Sequence, residues 1–217
     1  MAKQLYILSG LGADERVFHK LDFSGFQVTF VQWIQPHHKE AIEHYATRLI
    51  EQIKVKNPTI IGLSFGGMMA VEIAKQIDTS QVILIASAVS KEEIPFYYRM
   101  AGKMKLHKLL PSRLLKRSNC LTNYLFGITS KADKKLFKQI LNDIDPVFLK
   151  WAIDKIVHWK NQWQPEHYVH IHGKKDKILP LCFTKSDIVI QDGGHLMTLN
   201  QYEELNPILQ QLLHTNM

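Results

Sequence analysis

The sequence predicts an α/β fold: a mainly parallel, open sheet of about six strands, with helices on both faces and an inserted helical region. Three observations carry this. Short, nearly continuous apolar runs such as Val82-Ile83-Leu84-Ile85 suit strands covered on both faces. Segments with apolar residues three and four apart alternate with those runs. From Lys91 to Gln164 the alternation stops and only helical patterns remain.

Gln4 to Leu8 reads as the first strand, closed by Ser9-Gly10-Leu11-Gly12. Asp14 suits the cap of a short helix through Leu21, with Val17, Phe18 and Leu21 inward. Phe26 to Trp33 alternates and is rich in β-formers, predicting a second strand ended by Pro36. Lys39 to Ile53 is amphipathic, with Ile42, Tyr45, Ala46, Leu49, Ile50 and Ile53 on one face. Pro58 to Leu63 is a strand that passes at once into a helix carrying Ala70, Ile73, Ala74 and Ile77. Gln81 to Ala86 is the fourth strand. Helices are expected over 92–109, 131–141 and onward from Asp145-Pro146, with proline at the first helical position. Tyr168 to His172 and Asp187 to Ile190 complete the strands, and a helix from about Leu196 to Leu212 follows. The expected organisation is a body of residues 1–90 and 165–217 with a helical lid of residues 91–164.

At 217 residues, 46% apolar and 22% charged, the chain suits one globular domain with an insertion. No apolar run approaches the ~20 residues that span a bilayer. The start shows no signal-peptide pattern. Two cysteines, Cys120 and Cys182, have no metal-like or redox spacing; they read as small core residues in a reducing, cytoplasmic setting. The net charge of +7 concentrates at Arg99, Lys103, Lys105, Lys108, Arg113, Lys116 and Arg117, a stretch without acidic residues. A solvated helical face accounts for it, as does attraction of an anionic substrate. No nucleic-acid-binding motif accompanies it.

The chemistry is signalled at Gly62-Leu63-Ser64-Phe65-Gly66. A strand turning directly into a helix strains its middle residue and thrusts that side chain outward, while the flanking glycines relieve backbone crowding. Serine needs a base, and the base an orienting carboxylate. His195 and Asp176 each follow a predicted strand directly, so they share the rim where parallel strands end. Asp187, at a strand start, and Asp192, suited to the turn before Gly193, are rival acids; Glu92 and Glu93 are weaker ones. The developing oxyanion needs backbone N–H donors, which Phe65 and Leu11 can supply.

Together, Ser9-Gly10-Leu11-Gly12, Gly62-Leu63-Ser64-Phe65-Gly66-Gly67, His172-Gly173-Lys174-Lys175-Asp176 and Gly193-Gly194-His195 resemble the α/β-hydrolase superfamily. The resemblance spans the body and implies acyl-enzyme chemistry: Ser64 attacks a carbonyl, His195 shuttles the proton and Asp176 holds the imidazole. Many relatives have His-Gly where this chain has Ser9-Gly10. The usual helix between the acid and the last strand is expected to be cut to a few residues near Leu181–Lys185, and the leading antiparallel hairpin of many relatives is not expected. A serine nucleophile sets the chain apart from dehalogenases and epoxide hydrolases of similar body.

The expected activity is hydrolysis of a small ester or thioester, with no metal or cofactor. Acyl transfer or a lyase step would use the same triad, and a non-catalytic ligand receptor would use the same body. Gly10, Trp33, His38, Phe96 and Trp151 are candidate substrate contacts, with His37 an alternative to His38. The expected ligand is a small acyl compound, which the basic stretch would favour as an anion; neither nucleic acid nor a membrane span is expected.

Overall fold

The computed structural model describes residues 3–109 and 111–215 and, within them, leaves the Ser112 and Arg113 side chains undescribed, so Arg113 of the basic stretch lies outside the described side chains. Six strands form one sheet: β1 (Lys3–Leu8), β2 (Phe26–Phe30), β3 (Thr59–Leu63), β4 (Gln81–Ile85), β5 (Tyr168–Gly173) and β6 (Ile188–Ile190). The order is β2-β1-β3-β4-β5-β6, and every neighbouring pair is parallel. Ile7 stands beside Ile61, Ile61 beside Ile83, and Ile85 beside Ile171.

The apolar runs serve two cores because successive strand residues point to opposite faces. Leu5, Ile7, Ile61 and Ile83 pack on one side against Leu205, Leu209 and Leu213 of α9 (Tyr202–Thr215). Tyr6, Leu8, Ile60 and Val82 pack on the other against α1 (Ile42–Ile50) and α2 (Phe65–Ala74). Helix α2 shows no polar face; its residues 65–73 are all buried, since it lies beneath both α1 and the sheet. The α/β-hydrolase fold follows from this sheet and its flanking helices.

Residues 91–164 hold α3 (Phe96–Lys103), α4 (Ser112–Leu115), α5 (Cys120–Phe126), α6 (Lys131–Asp143) and α7 (Pro146–Val157). Ser130 caps α6 through the Asp133 N–H, and Asp145 caps α7 through the Phe148 N–H at 2.7 Å. Gly127 ends α5 in the left-handed conformation at φ +73°. The single helix expected over 92–109 is three pieces, because Pro95 starts a new helix and Lys105 adopts φ +56°. Strand β2 ends at Phe30 rather than Trp33, and α1 starts at Ile42 because Lys39, at φ +56°, breaks the helical path. Both cysteines are exposed, not core: Cys120 opens α5, which has no buried residue, and Cys182 sits in a short exposed turn at Leu181–Phe183. The last helical stretch is split into α8 (Met197–Asn200) and α9. No helix among the described residues is long and apolar enough to cross a membrane.

Candidate active site

All six strands end on one rim, so the loops after β1, β3, β5 and β6 meet there. Ser64 stands between β3 and α2 at φ 52°, ψ −120°, a backbone conformation that only a turn this tight imposes on serine. A Cβ on Gly62 would run into the backbone of Gly66 and Gly67, and one on Gly66 into the Ser9 carbonyl. The strained turn is pinned from both sides. Ser64 N–H donates to the Ile85 carbonyl at 2.9 Å, and Ser87 Oγ donates to the Ser64 carbonyl at 2.6 Å.

Ser64 Oγ lies 2.8 Å from His195 Nε2, and His195 Nδ1 lies 2.8 Å from Asp176 Oδ2. Asp176 Oδ1 accepts the N–H groups of Ile178 and Leu179, each at 2.8 Å. With both oxygens engaged by donors, the carboxylate cannot rotate away from the imidazole. Burial works against its charge, but His195, the Leu179 N–H and His172 outweigh it and hold the carboxyl below its ordinary range. Asp176 therefore orients the ring as an anion, with Nδ1 donating and Nε2 free to accept from Ser64. His195 and Asp176 are almost wholly buried, while Ser64 is half-open.

The rival acids have other partners. Asp187 Oδ2 accepts the His170 N–H at 2.8 Å, and the residue precedes β6 at the end away from the rim. Asp192 pairs with Lys175 in solvent, and Glu92 is exposed beside Lys91. Glu93 is buried and accepts the N–H groups of Val89 at 2.7 Å and Lys185 at 2.8 Å. Burial raises its pKa above the usual carboxylate value.

The loop after β1 lies against the elbow: a Cβ on Gly10 would stand 3.5 Å from Ser64 Cβ. Ser9 Oγ braces the loop, donating to the Ala13 carbonyl at 2.6 Å and accepting from Trp33 Nε1 at 3.0 Å. Gly10, Leu11 and Phe65 border the same cavity as Ser64 and His195.

That cavity has a volume of about 220 Å³. Its wall is almost entirely apolar, with Ile94, Tyr98, Phe126, Ile140, Ile153 and Ile156 contributed by residues 91–164. Among the described residues, no lysine, arginine, aspartate or glutamate borders it. Phe126 meets the His195 ring edge-on at 5.5 Å, and the Leu196 N–H donates to the Phe126 carbonyl at 3.1 Å. Of the expected substrate contacts, Gly10 borders the cavity; Trp33, His38, Phe96 and Trp151 do not. Trp33 is the brace of Ser9, and His38 is exposed. Phe96 faces solvent beside Tyr97 and Phe183, and Trp151 is buried against Tyr45. The apolar residues of α5–α7 were missed as cavity wall because an inward helical stripe looks the same whether it faces a core or a cavity.

Two surface clusters have cation-ligand composition, His37/Glu40/His44 and His107/Asp154/His158. Their carboxylates already serve cations. Arg48 Nη1 donates to Glu40 Oε2 at 2.8 Å, and His107 and Lys155 flank Asp154. Neither cluster borders the cavity.

A parallel sheet with a serine on its strand–helix elbow, engaged by histidine and aspartate from the same rim, defines an α/β-hydrolase of the serine-nucleophile class. Residues 16–210 match the model of the uncharacterised protein family UPF0227, and the chain belongs to that family. It is similar to the structure of an esterase from Exiguobacterium antarcticum, at 18% identity over 97% of this chain and 91% of that one, with a TM-score of 0.72. It is likewise similar to MenH from S. aureus, at 18% identity over 100% and 95%, TM-score 0.74. A thermophilic esterase from Thermogutta terrifontis aligns at 15% identity over 99% and 90%, TM-score 0.66. At such identities the likeness carries the fold. No curated protein sequence is significantly similar to this chain.

Proposed function

We propose that this protein hydrolyses esters or thioesters of small, uncharged, mainly hydrocarbon acids. The observation that carries the reading is the continuous Ser64–His195–Asp176 hydrogen-bonded line opening on an apolar cavity. Ser64 Oγ bonds to the acyl carbon as its proton passes to His195 Nε2. The carbonyl becomes an oxyanion, met by the N–H groups of Leu11 and Phe65. Collapse expels the alcohol or thiol, which takes the proton from Nε2. Water then gives a proton to His195 and attacks the acyl-enzyme, and loss of Ser64 Oγ, reprotonated by His195, frees the acid.

Residues 91–164 act in this reading as a lid, supported by their share of the cavity wall and by the Phe126 contacts to the His195 loop. The lining favours a neutral acyl chain. The basic residues Arg99, Lys103, Lys105, Lys108, Lys116 and Arg117 lie outside the cavity wall. A cytoplasmic location is supported by the unpaired Cys120 and Cys182. Covalent labelling by a fluorophosphonate tests the nucleophile. Wild type should label rapidly and Ser64→Ala not at all; a folded wild type that resists the probe would remove the enzymatic reading.

A further inference from the structure

Behind Asp176, away from Ser64, two histidines stand in line and take no part in the steps above. His172 Nε2 lies 2.7 Å from the Leu179 carbonyl oxygen and 3.5 Å from Asp176 Oδ2. Both neighbours can only accept, so Nε2 carries the ring proton. His172 Nδ1 then accepts from His170 Nε2 at 3.2 Å, which fixes the second ring in the same tautomer. His170 Nδ1 has no partner within strict hydrogen-bond geometry; Glu93 Oε2 stands 3.9 Å away, and the backbone of Ser87 and Lys185 also faces the ring. Both rings are fully buried, and burial keeps both neutral, pushing His170 down to about 3.

This arrangement acts on the catalytic acid through geometry. Leu179 gives its N–H to Asp176 Oδ1 and its carbonyl to His172, so one residue ties acid and histidine together. The Nε2–H also faces the oxygen that holds His195. Without that donor the Leu179 carbonyl is left buried and unpaired, and the turn from Asp176 to Leu179 can rotate to find water. The carboxylate would rotate with it. An alkyl or phenyl side chain would fill the same space and supply none of this.

We propose that His172, held in its tautomer by His170, is a positioning residue that orients Asp176 toward His195. The proposal rests on the serine-hydrolase reading. His172→Phe keeps the ring volume and removes the donor, while His172→Gln returns an N–H near the position of Nε2.

The test is a double-mutant cycle with Asp176→Asn, read as kcat and KM on one p-nitrophenyl ester. His172→Phe should lower kcat about tenfold with KM within about twofold, and have less than about a twofold effect in the Asp176→Asn background. His172→Gln should keep at least half of kcat, whereas His172→Asn, with the same amide one methylene short, should behave like the phenylalanine. Equal losses in both backgrounds would overturn the proposal, as would a glutamine variant no better than asparagine. The Gln/Asn comparison decides the matter should His172→Phe fail to fold. A wild type that neither labels nor hydrolyses defeats the serine-hydrolase reading itself; an active wild type with an uncoupled cycle defeats only the positioning role.

Discussion

Acyl-chain length is the sharpest probe of the cavity. Starting from p-nitrophenyl acetate, lengthening the acyl group to hexanoate adds four methylenes. Each is worth about 0.8 kcal/mol when buried, or roughly fourfold. Realised in the transition state, four give about 3 kcal/mol, hence roughly 200-fold in kcat/KM. The apolar wall runs on from Ser64 into a volume of about 220 Å³, so the gain should persist through hexanoate. The half ester of adipic acid has the hexanoyl length but ends in a carboxylate. No lysine or arginine among the described residues borders the cavity, and an unpaired buried charge costs several kcal/mol, so this ester should fall at least about a hundredfold below hexanoate. Initial rates of p-nitrophenolate release across the series measure both effects. A flat profile from acetate to hexanoate, or a preference for the carboxylate-ended ester, would refute the argument from the lining.

Three further outcomes follow from the same geometry. Asp176→Asn should lower kcat by about three to four orders of magnitude because the amide can favour the wrong imidazole tautomer, while Asp187→Asn, which weakens only an acceptor for the His170 N–H, should change kcat less than about threefold; comparable losses would exchange their roles. His170 titrates at about 3 in the fold against 6.5 when unfolded, so between those values the unfolded chain holds the extra proton and stability falls as pH falls. Urea unfolding at pH 6 and pH 4 should therefore show wild type losing about 2 to 3 kcal/mol more than His170→Gln, and matching losses would contradict the burial of a neutral ring. Gly62→Ala places a methyl group in the backbone of Gly66 and Gly67, so about 3 kcal/mol of stability and the fluorophosphonate reaction should both be lost. A variant with unchanged urea midpoint and labelling would show that the elbow does not need its glycine.

Local physics determined most of the body. The Ile60–Leu63 and Val82–Ile85 runs are legible because a strand buried on both faces favours apolar side chains at successive positions, and β3 and β4 formed there. Ser64 was legible because strand, turn and helix crowd one another within five residues, a constraint that acts along the chain. His195 and Asp176 were reachable because a parallel sheet delivers every strand end to one rim. Tertiary structure alone decided the rest. The hydrogen bonds that hold the two acids, Asp176 to His195 after β5 and Asp187 to the His170 N–H before β6, join residues far apart in the chain. The role of Trp33 as a brace for Ser9 depended on a contact between residues far apart in the chain. The neighbours of the buried His170–His172 pair, and the cavity wall assembled from separate helices, arise from packing across the fold. An apolar periodicity says which side of a helix turns inward, but not whether a side chain, a cavity or an acyl group fills the space it faces.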